Sequence, residues 1–142
     1  MANAKDIIVK PLSHLHAAVY RATGGRFANK GYGMPVVILT TTGRKSGKTR
    51  TTTLTSPVQD GDSVVLVASY GGDDRHPSWF LNLRDIPEVE LTIHGETRSM
   101  RARVASEAEK AELWPRVVAA HKGYAQYQTK TDRDIPLVIV EP

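Results

Sequence analysis

The sequence predicts an α+β fold: about six short, mostly antiparallel strands forming a barrel or sandwich, with helices outside it. Three observations point there. Apolar or β-branched runs of strand length recur from Val36 to Val140. Several are joined by turns too short for a crossover helix, and no regular alternation of strand with helix exists. A chain of 142 residues is one domain by length, able to hide roughly 70% of the surface its unfolded form exposes. Residues 1–33 are expected to form a helix and loop, and 34–142 the barrel with its later helices.

Lys5 to Arg21 carries Ile8, Leu12, Leu15, Val19 and Tyr20 at steps of three and four, the period of an amphipathic helix interrupted near Pro11. Thr23 to Pro35 is a glycine-rich loop. From Val36 the period changes: the VVILTT run, threonine-dominated Thr49 to Ser56 and β-branched Ser63 to Ser69 are three strands. Gln59-Asp60-Gly61-Asp62 lies between the last two, and Asp-Gly is a strong hairpin signal, so those two are expected to pair antiparallel.

Pro77 suits the first turn of a helix over Ser78 to Arg84, because its missing N–H has no partner there in any case. Val89 to Ile93 and Thr97 to Val104 form a hairpin across His94-Gly95-Glu96. Ser106 with Glu109 is a capping box that opens a helix, which Pro115 either restarts or kinks before Val117 to His121. Tyr124 to Lys130 is a shorter helix with Tyr124 and Tyr127 on one face, and Pro136 to Val140 is a final strand.

Composition removes several function classes. With no cysteine, disulfides, thiolate metal sites and cysteine nucleophiles are excluded, and a reducing cytoplasm is the expected compartment. No run approaches the roughly 20 apolar residues that span a bilayer, although the basic, partly apolar first helix suits peripheral contact with a membrane as well as core packing. The five histidines show no metal-ligand spacing, so no metal is expected. Ser69 lacks a nucleophile-elbow sequence around it, which argues against a serine hydrolase. The net charge of +4 favours acidic ligands, but no strand interleaves aromatics with Lys and Arg, which argues against a nucleic-acid module.

Four segments could carry chemistry. Gly43-Arg44-Lys45-Ser46-Gly47-Lys48-Thr49 has three residues between its glycines, where a nucleotide-triphosphate loop needs four, and a strand follows it instead of a helix. It reads either as an anion-binding turn, with Arg50 beside it, or as a solvated basic hairpin turn. In the next strand Arg50, Thr52 and Leu54 face one way and Thr49, Thr51, Thr53 and Thr55 the other, a hydroxyl row or simply threonine in its favoured setting. Ser69-Tyr70-Gly71-Gly72 ends a strand and Pro77-Ser78-Trp79-Phe80 starts a helix, together a plausible pocket rim. Asn82 is an amide reader or a helix-end cap, and Trp79 and Phe80 serve equally as core. Tyr124 and Tyr127 put two phenols on one helical face, suited to hydrogen bonding or to ordinary packing.

Read together, LTTTGRKSGKTRTTTL, VVLVASYGGDDRHPSWFLNL, Pro87 through Arg103 and GYAQYQTKTDRDIPLVIVEP resemble the deazaflavin-dependent nitroreductase family of actinobacteria, in order from about Met34 to Pro142. The resemblance implies a split β-barrel like that of flavin-binding reductases. It implies a bound 8-hydroxy-5-deazaflavin coenzyme (coenzyme factor 420, oligoglutamate form) and hydride transfer to a small electron-poor acceptor such as a quinone, enone or nitroaromatic. Coenzyme contacts then fall on Arg44, Lys45, Ser46, Gly47, Arg50, Thr51, Thr52, Thr53, Ala68, Ser69, Tyr70, Ser78, Trp79, Asn82 and Tyr124, with Ser69, Tyr124 and Tyr127 lining the acceptor pocket. His121 stands where some members carry a phenol. Two alternatives keep the barrel: a reductase or binder using flavin mononucleotide or a heme breakdown product, and a carrier of the deazaflavin without catalysis.

Overall fold

A computed structural model describes residues 30, 31 and 33–142. The expected amino-terminal helix, Lys5 to Arg21, lies outside them. Among the described residues the chain runs β1 (Lys30–Gly31), β2 (Met34–Thr42), β3 (Thr49–Thr55), β4 (Val58–Asp60), β5 (Ser63–Val67), a tight helical turn at Tyr70–Gly72, and α1 (Ser78–Asp85). It continues through β6 (Glu88–Ile93), β7 (Glu96–Val104), α2 (Glu107–Ala120), α3 (Gly123–Thr129) and β8 (Leu137–Glu141). The six expected strands are all present. The two additional ones, β1 and β4, are two and three residues long, too short to leave a period in the sequence.

The strands pair antiparallel throughout, in the order β3-β2-β6-β7-β8-β5-β4, with β1 against the start of β2. Ser56, fully buried, draws the two ends of this sheet together. Its N–H donates to the Pro35 carbonyl (3.0 Å), prolonging the β2–β3 ladder, while its Oγ donates to the carbonyls of Val58 (3.0 Å) and Val65 (2.7 Å) across the seam. Beyond that tie β3 has, among the described residues, only β2 beside it, and β5 runs on into the Ala68–Gly72 turn. The result is a barrel open along one side.

One expected pairing is corrected. The Gly61-Asp62 turn does join a hairpin, but its first strand is β4, with Asp60 opposite Ser63. The threonine strand pairs with β2, and β5 takes β4 and β8 as neighbours. Pro57 explains the difference: it has no N–H to extend a ladder, so the chain leaves β3 at Ser56 and starts a new strand beyond it. The other hairpin forms as expected, with a two-residue His94-Gly95 turn in which both φ angles are positive (52° and 79°).

Alternation within the strands divides the core. Val64 and Leu66 of β5 join Val37, Leu39, Leu91, Val138 and Val140 inside the barrel, where Phe80 and Leu83 of α1 also pack. Val65 and Val67, on the other face, join Val117 of α2, Tyr124 of α3, Ile135 and Leu137. This strand is buried on both faces, which is why its sequence is a continuous apolar run instead of an alternating one. The capping box is complete: Glu109 N–H donates to Ser106 Oγ (3.2 Å) and Ser106 N–H to Glu109 Oε1 (2.9 Å). Pro115 neither restarts nor ends α2, which continues to Ala120. Pro115 and Ala111, whose carbonyl loses its helical donor, are both exposed, where water can take that donor's place.

Candidate active site

The site is built along β3. The Gly43–Lys48 turn leads into it, closed by Gly43 N–H to Lys48 O (2.7 Å) and Gly47 N–H to Gly43 O (2.8 Å). Lys45, Ser46, Gly47 and Lys48 are exposed at its tip. Buried Asn82 of α1 brackets the turn from below. Its Oδ1 accepts the Arg44 backbone N–H (3.2 Å) and Arg44 Nη1 (2.9 Å), and its Nδ2 donates to Thr41 Oγ1 (3.4 Å). Asn82 fixes the turn to the barrel. Part of Arg44's donor set is spent on that bracket, leaving Lys45 and Lys48 as the cations at the tip.

Along β3 the alternation predicted from sequence holds. Leu54 packs on the barrel core, so Arg50 and Thr52 share its side, and Thr51, Thr53 and Thr55 form a row on the opposite face. Thr51 Oγ1 lies 3.4 Å from Thr40 Oγ1, and Thr55 Oγ1 lies 3.4 Å from the Tyr124 hydroxyl. Between them Thr53 Oγ1 is buried without a hydrogen-bond partner among the described residues. A buried hydroxyl without a partner costs roughly 1–3 kcal/mol. Thr52 and Arg50 lie on the Leu54 side of β3, and Thr51 and Thr53 on the other.

At the far end of β3, roughly 20 Å from the basic turn for a strand of this length, stand the phenols of α3. Tyr124 is buried and meets Tyr127 edge-on (centroids 6.1 Å apart); its hydroxyl also approaches Met34 Sδ at 3.8 Å. Burial, with Tyr127 adding to it and the Thr55 hydrogen bond opposing, raises the Tyr124 pKa above its ordinary value, so the phenol is protonated at neutral pH. His121 completes the group, its ring perpendicular to Tyr124 at 5.2 Å and tilted toward Tyr127 at 6.5 Å. A Cβ at Gly123 would overlap that imidazole, so glycine there is what lets the ring lie across the start of α3.

The Ala68–Gly72 turn faces α3. Tyr70 is exposed with φ 46°, and Gly71 and Gly72 follow at 63° and 86°. A side chain on Gly72 would sit 2.9 Å from the Tyr127 carbonyl and 3.0 Å from Lys130 Cβ, so the turn meets α3 backbone to backbone. Arg133, which sequence reasoning did not single out, holds it: Nε donates to Asp73 O (2.8 Å), Nη2 to Ser69 O (2.8 Å) and Nη1 to Ala68 O (3.2 Å). Its partners are carbonyls some sixty residues away in the chain, which leave no trace in residue type. Ser78, at the start of α1, is exposed, and Trp79 packs partly on the barrel core; neither has a hydrogen bond tying it to the basic turn or to the phenols. Among the described residues no group of three metal-ligating side chains occurs, and no helix is long and apolar enough to cross a membrane.

Comparison with known proteins bears on this geometry. The F420H(2)-dependent quinone reductase family model matches residues 12–142. The chain is 38% identical over 133 residues to the F420H(2)-dependent quinone reductase Rv1261c of Mycobacterium tuberculosis, covering 91% of this chain and 89% of that one. It is 42% identical to a solved F420-H2 dependent reductase (FDR-A), with a TM-score of 0.69 over 75% of this chain and 94% of that chain. A protein of the pyridoxinephosphate oxidase family from Clostridium acetobutylicum, 13% identical, shares the split-barrel fold with a TM-score of 0.56 over 87% and 83% of the two chains. These matches, on the split-barrel fold described above, show that the chain belongs to the F420H(2)-dependent quinone reductases, oxidoreductases that use the reduced deazaflavin coenzyme.

Proposed function

We propose that the chain holds the reduced deazaflavin coenzyme along β3, with the anionic tail at Lys45, Ser46, Gly47 and Lys48 and the ring toward Thr51, Thr53 and Thr55. A quinone-type acceptor then lies against Ser69, Tyr124 and Tyr127. The observation that carries this is the buried Thr53 hydroxyl, without a partner among the described residues and set in a row that connects a cationic turn to a pair of phenols. That row matches a long ligand charged at one end and aromatic at the other. When bound, the coenzyme supplies a hydride from its reduced ring carbon.

The chain's own residues do the rest. Lys45 and Lys48 attract phosphate and glutamate carboxylates, and the turn's glycines let backbone N–H groups approach them. Thr51 and Thr53 offer hydroxyls that orient a heterocycle. Tyr124, kept neutral, holds a proton on Oη, and its present contacts to Thr55 and Met34 are long enough to yield to a better acceptor oxygen. Reduction of a quinone carbonyl places negative charge on that oxygen, where the Tyr124 hydroxyl stabilises it or protonates it. Enones and nitroaromatics offer comparable electron-poor acceptors. The reading includes the oligoglutamate form of the coenzyme, a cytoplasmic location, and peripheral membrane contact through residues 1–33, which suits an apolar quinone.

The test is a pair of variants. Lys45→Ala is expected to raise the coenzyme Kd about fivefold, an effect that shrinks at high salt, with kcat nearly unchanged. Tyr124→Phe is expected to leave Kd unchanged and lower kcat for a quinone at least tenfold. Tight binding of flavin mononucleotide with none of the deazaflavin, or binding without oxidation by any quinone, enone or nitroaromatic, would overturn the reading.

A further inference from the structure

Arg133 sits in the connection between α3 and β8, half-buried. Its guanidinium has no carboxylate within ion-pair distance among the described residues; it binds three main-chain carbonyls of one turn, Ala68, Ser69 and Asp73, and Nη1 also lies 3.3 Å from His76 Nδ1. The planar guanidinium reaches the three carbonyls from three separate nitrogens, where a lysine would bring a single one. The turn it spans holds Tyr70, Gly71 and Gly72 all at positive φ. Tyr70, having a Cβ, keeps that conformation at a cost, so something around it must enforce it.

The main chain of Arg133 is fastened in turn to the helix that carries the phenols. Gln128 of α3 donates through Nε2 to the Arg133 carbonyl (2.8 Å) and accepts the Ile135 N–H (3.0 Å). Thr131 Oγ1 donates to Asp74 Oδ1 (2.7 Å) and accepts the Arg133 N–H (3.3 Å). The arginine thus spans two bodies: the turn bearing Ser69 and Tyr70, and the helix bearing Tyr124 and Tyr127. We propose that Arg133 is a positioning residue for the acceptor side of the site, setting the shape of the Ala68–Asp73 turn and its separation from the α3 phenols. This rests on the function proposed above, in which those two bodies face the acceptor.

Arg133→Lys and Arg133→Ala test it, with Arg103→Lys as control, since Arg103 also forks between two partners, Glu109 and Glu141, neither of which belongs to the site described above. Two readouts are taken. Amide hydrogen exchange follows the Gly72 and Asp73 N–H groups, which donate to the Ser69 and Tyr70 carbonyls within the turn; steady-state kinetics follow kcat/KM for a quinone per folded molecule. Both Arg133 variants should exchange these two amides at least tenfold faster and lose at least tenfold in kcat/KM. Millimolar methylguanidinium should restore both in Arg133→Ala, and Arg103→Lys should change neither.

Unchanged exchange at Gly72 and Asp73, unchanged kcat/KM in a folded Arg133→Lys, or failure of methylguanidinium to restore either readout would overturn the proposal. Arg133→Lys keeps the charge and most of the side-chain volume, so a folded variant is obtained even where the alanine variant is unstable. Wild-type protein without quinone turnover would overturn the proposed function instead, and the exchange data would still decide whether Arg133 shapes the turn.

Discussion

His76 shows how one residue ties the site to pH. Its Nδ1 faces Arg133 Nη1 and its ring packs on Phe80 at 4.8 Å, so it must be neutral, with the proton on Nε2, to accept from the guanidinium. Burial first, then the positive charges of Arg133 and Arg84, push its pKa below the ordinary value of 6.5. The unfolded chain therefore takes up the proton first as pH falls, and stability declines from about pH 6.5 downward until the folded-state pKa is passed. Asp73 and Glu109, both held down to about 2 by hydrogen bonds from Arg75 and Arg103, lose their contribution only in far more acidic solution. Urea midpoints measured from about pH 7.5 to 5 should fall for the wild type and fall less for His76→Gln. Parallel curves for the two proteins would show that His76 does not titrate in this way.

At the scale of elements, the contact between the Ala68–Gly72 turn and α3 decides whether Ser69 and the phenols face one cavity. Gly71 and Gly72 are neighbours with similar backbone angles but different surroundings: a Cβ on Gly71 meets nothing within 4 Å, while one on Gly72 strikes the α3 main chain. Gly71→Ala carries only the left-handed backbone penalty, about 1 kcal/mol. Gly72→Ala carries that and must also push α3 away, for a total of about 2–4 kcal/mol. Thermal unfolding of the two variants reads the difference, and Gly72→Ala should also lose quinone turnover. Equal melting temperatures would mean that the turn and the helix are not in firm contact. Neither glycine could be ranked from sequence, since both follow Ser-Tyr and both read as turn formers.

At the scale of the molecule, the barrel interior is what anchors β3 through Leu54 and turns its hydroxyl row away from that core. Leu66 is fully buried there among Val37, Leu39, Val138 and Val140. Leu66→Ala should cost about 2–5 kcal/mol in denaturant unfolding, with no change in coenzyme Kd for the fraction that stays folded. A loss below about 1 kcal/mol would mean that the core refills around the gap, which close packing makes difficult.

Local physics determined a great deal from sequence alone. Period-two runs, the Asp-Gly and His-Gly turns, the Ser106–Glu109 box and the alternation of Thr51, Thr53 and Thr55 against Leu54 each depend on residues within a few positions of one another. All of these hold in the structure, and the spaced motifs identified the family. Tertiary structure alone decided that β3 pairs with β2 instead of β5, that Asn82 braces the basic turn, that Thr53 Oγ1 has no partner among the described residues and that Arg133 ties the turn to α3. These depend on main-chain groups and buried surfaces brought together from distant parts of the chain, and a carbonyl oxygen has the same signature in every residue. Sequence pattern records which side chains a segment carries; where distant backbone is presented to them is settled only when the barrel closes.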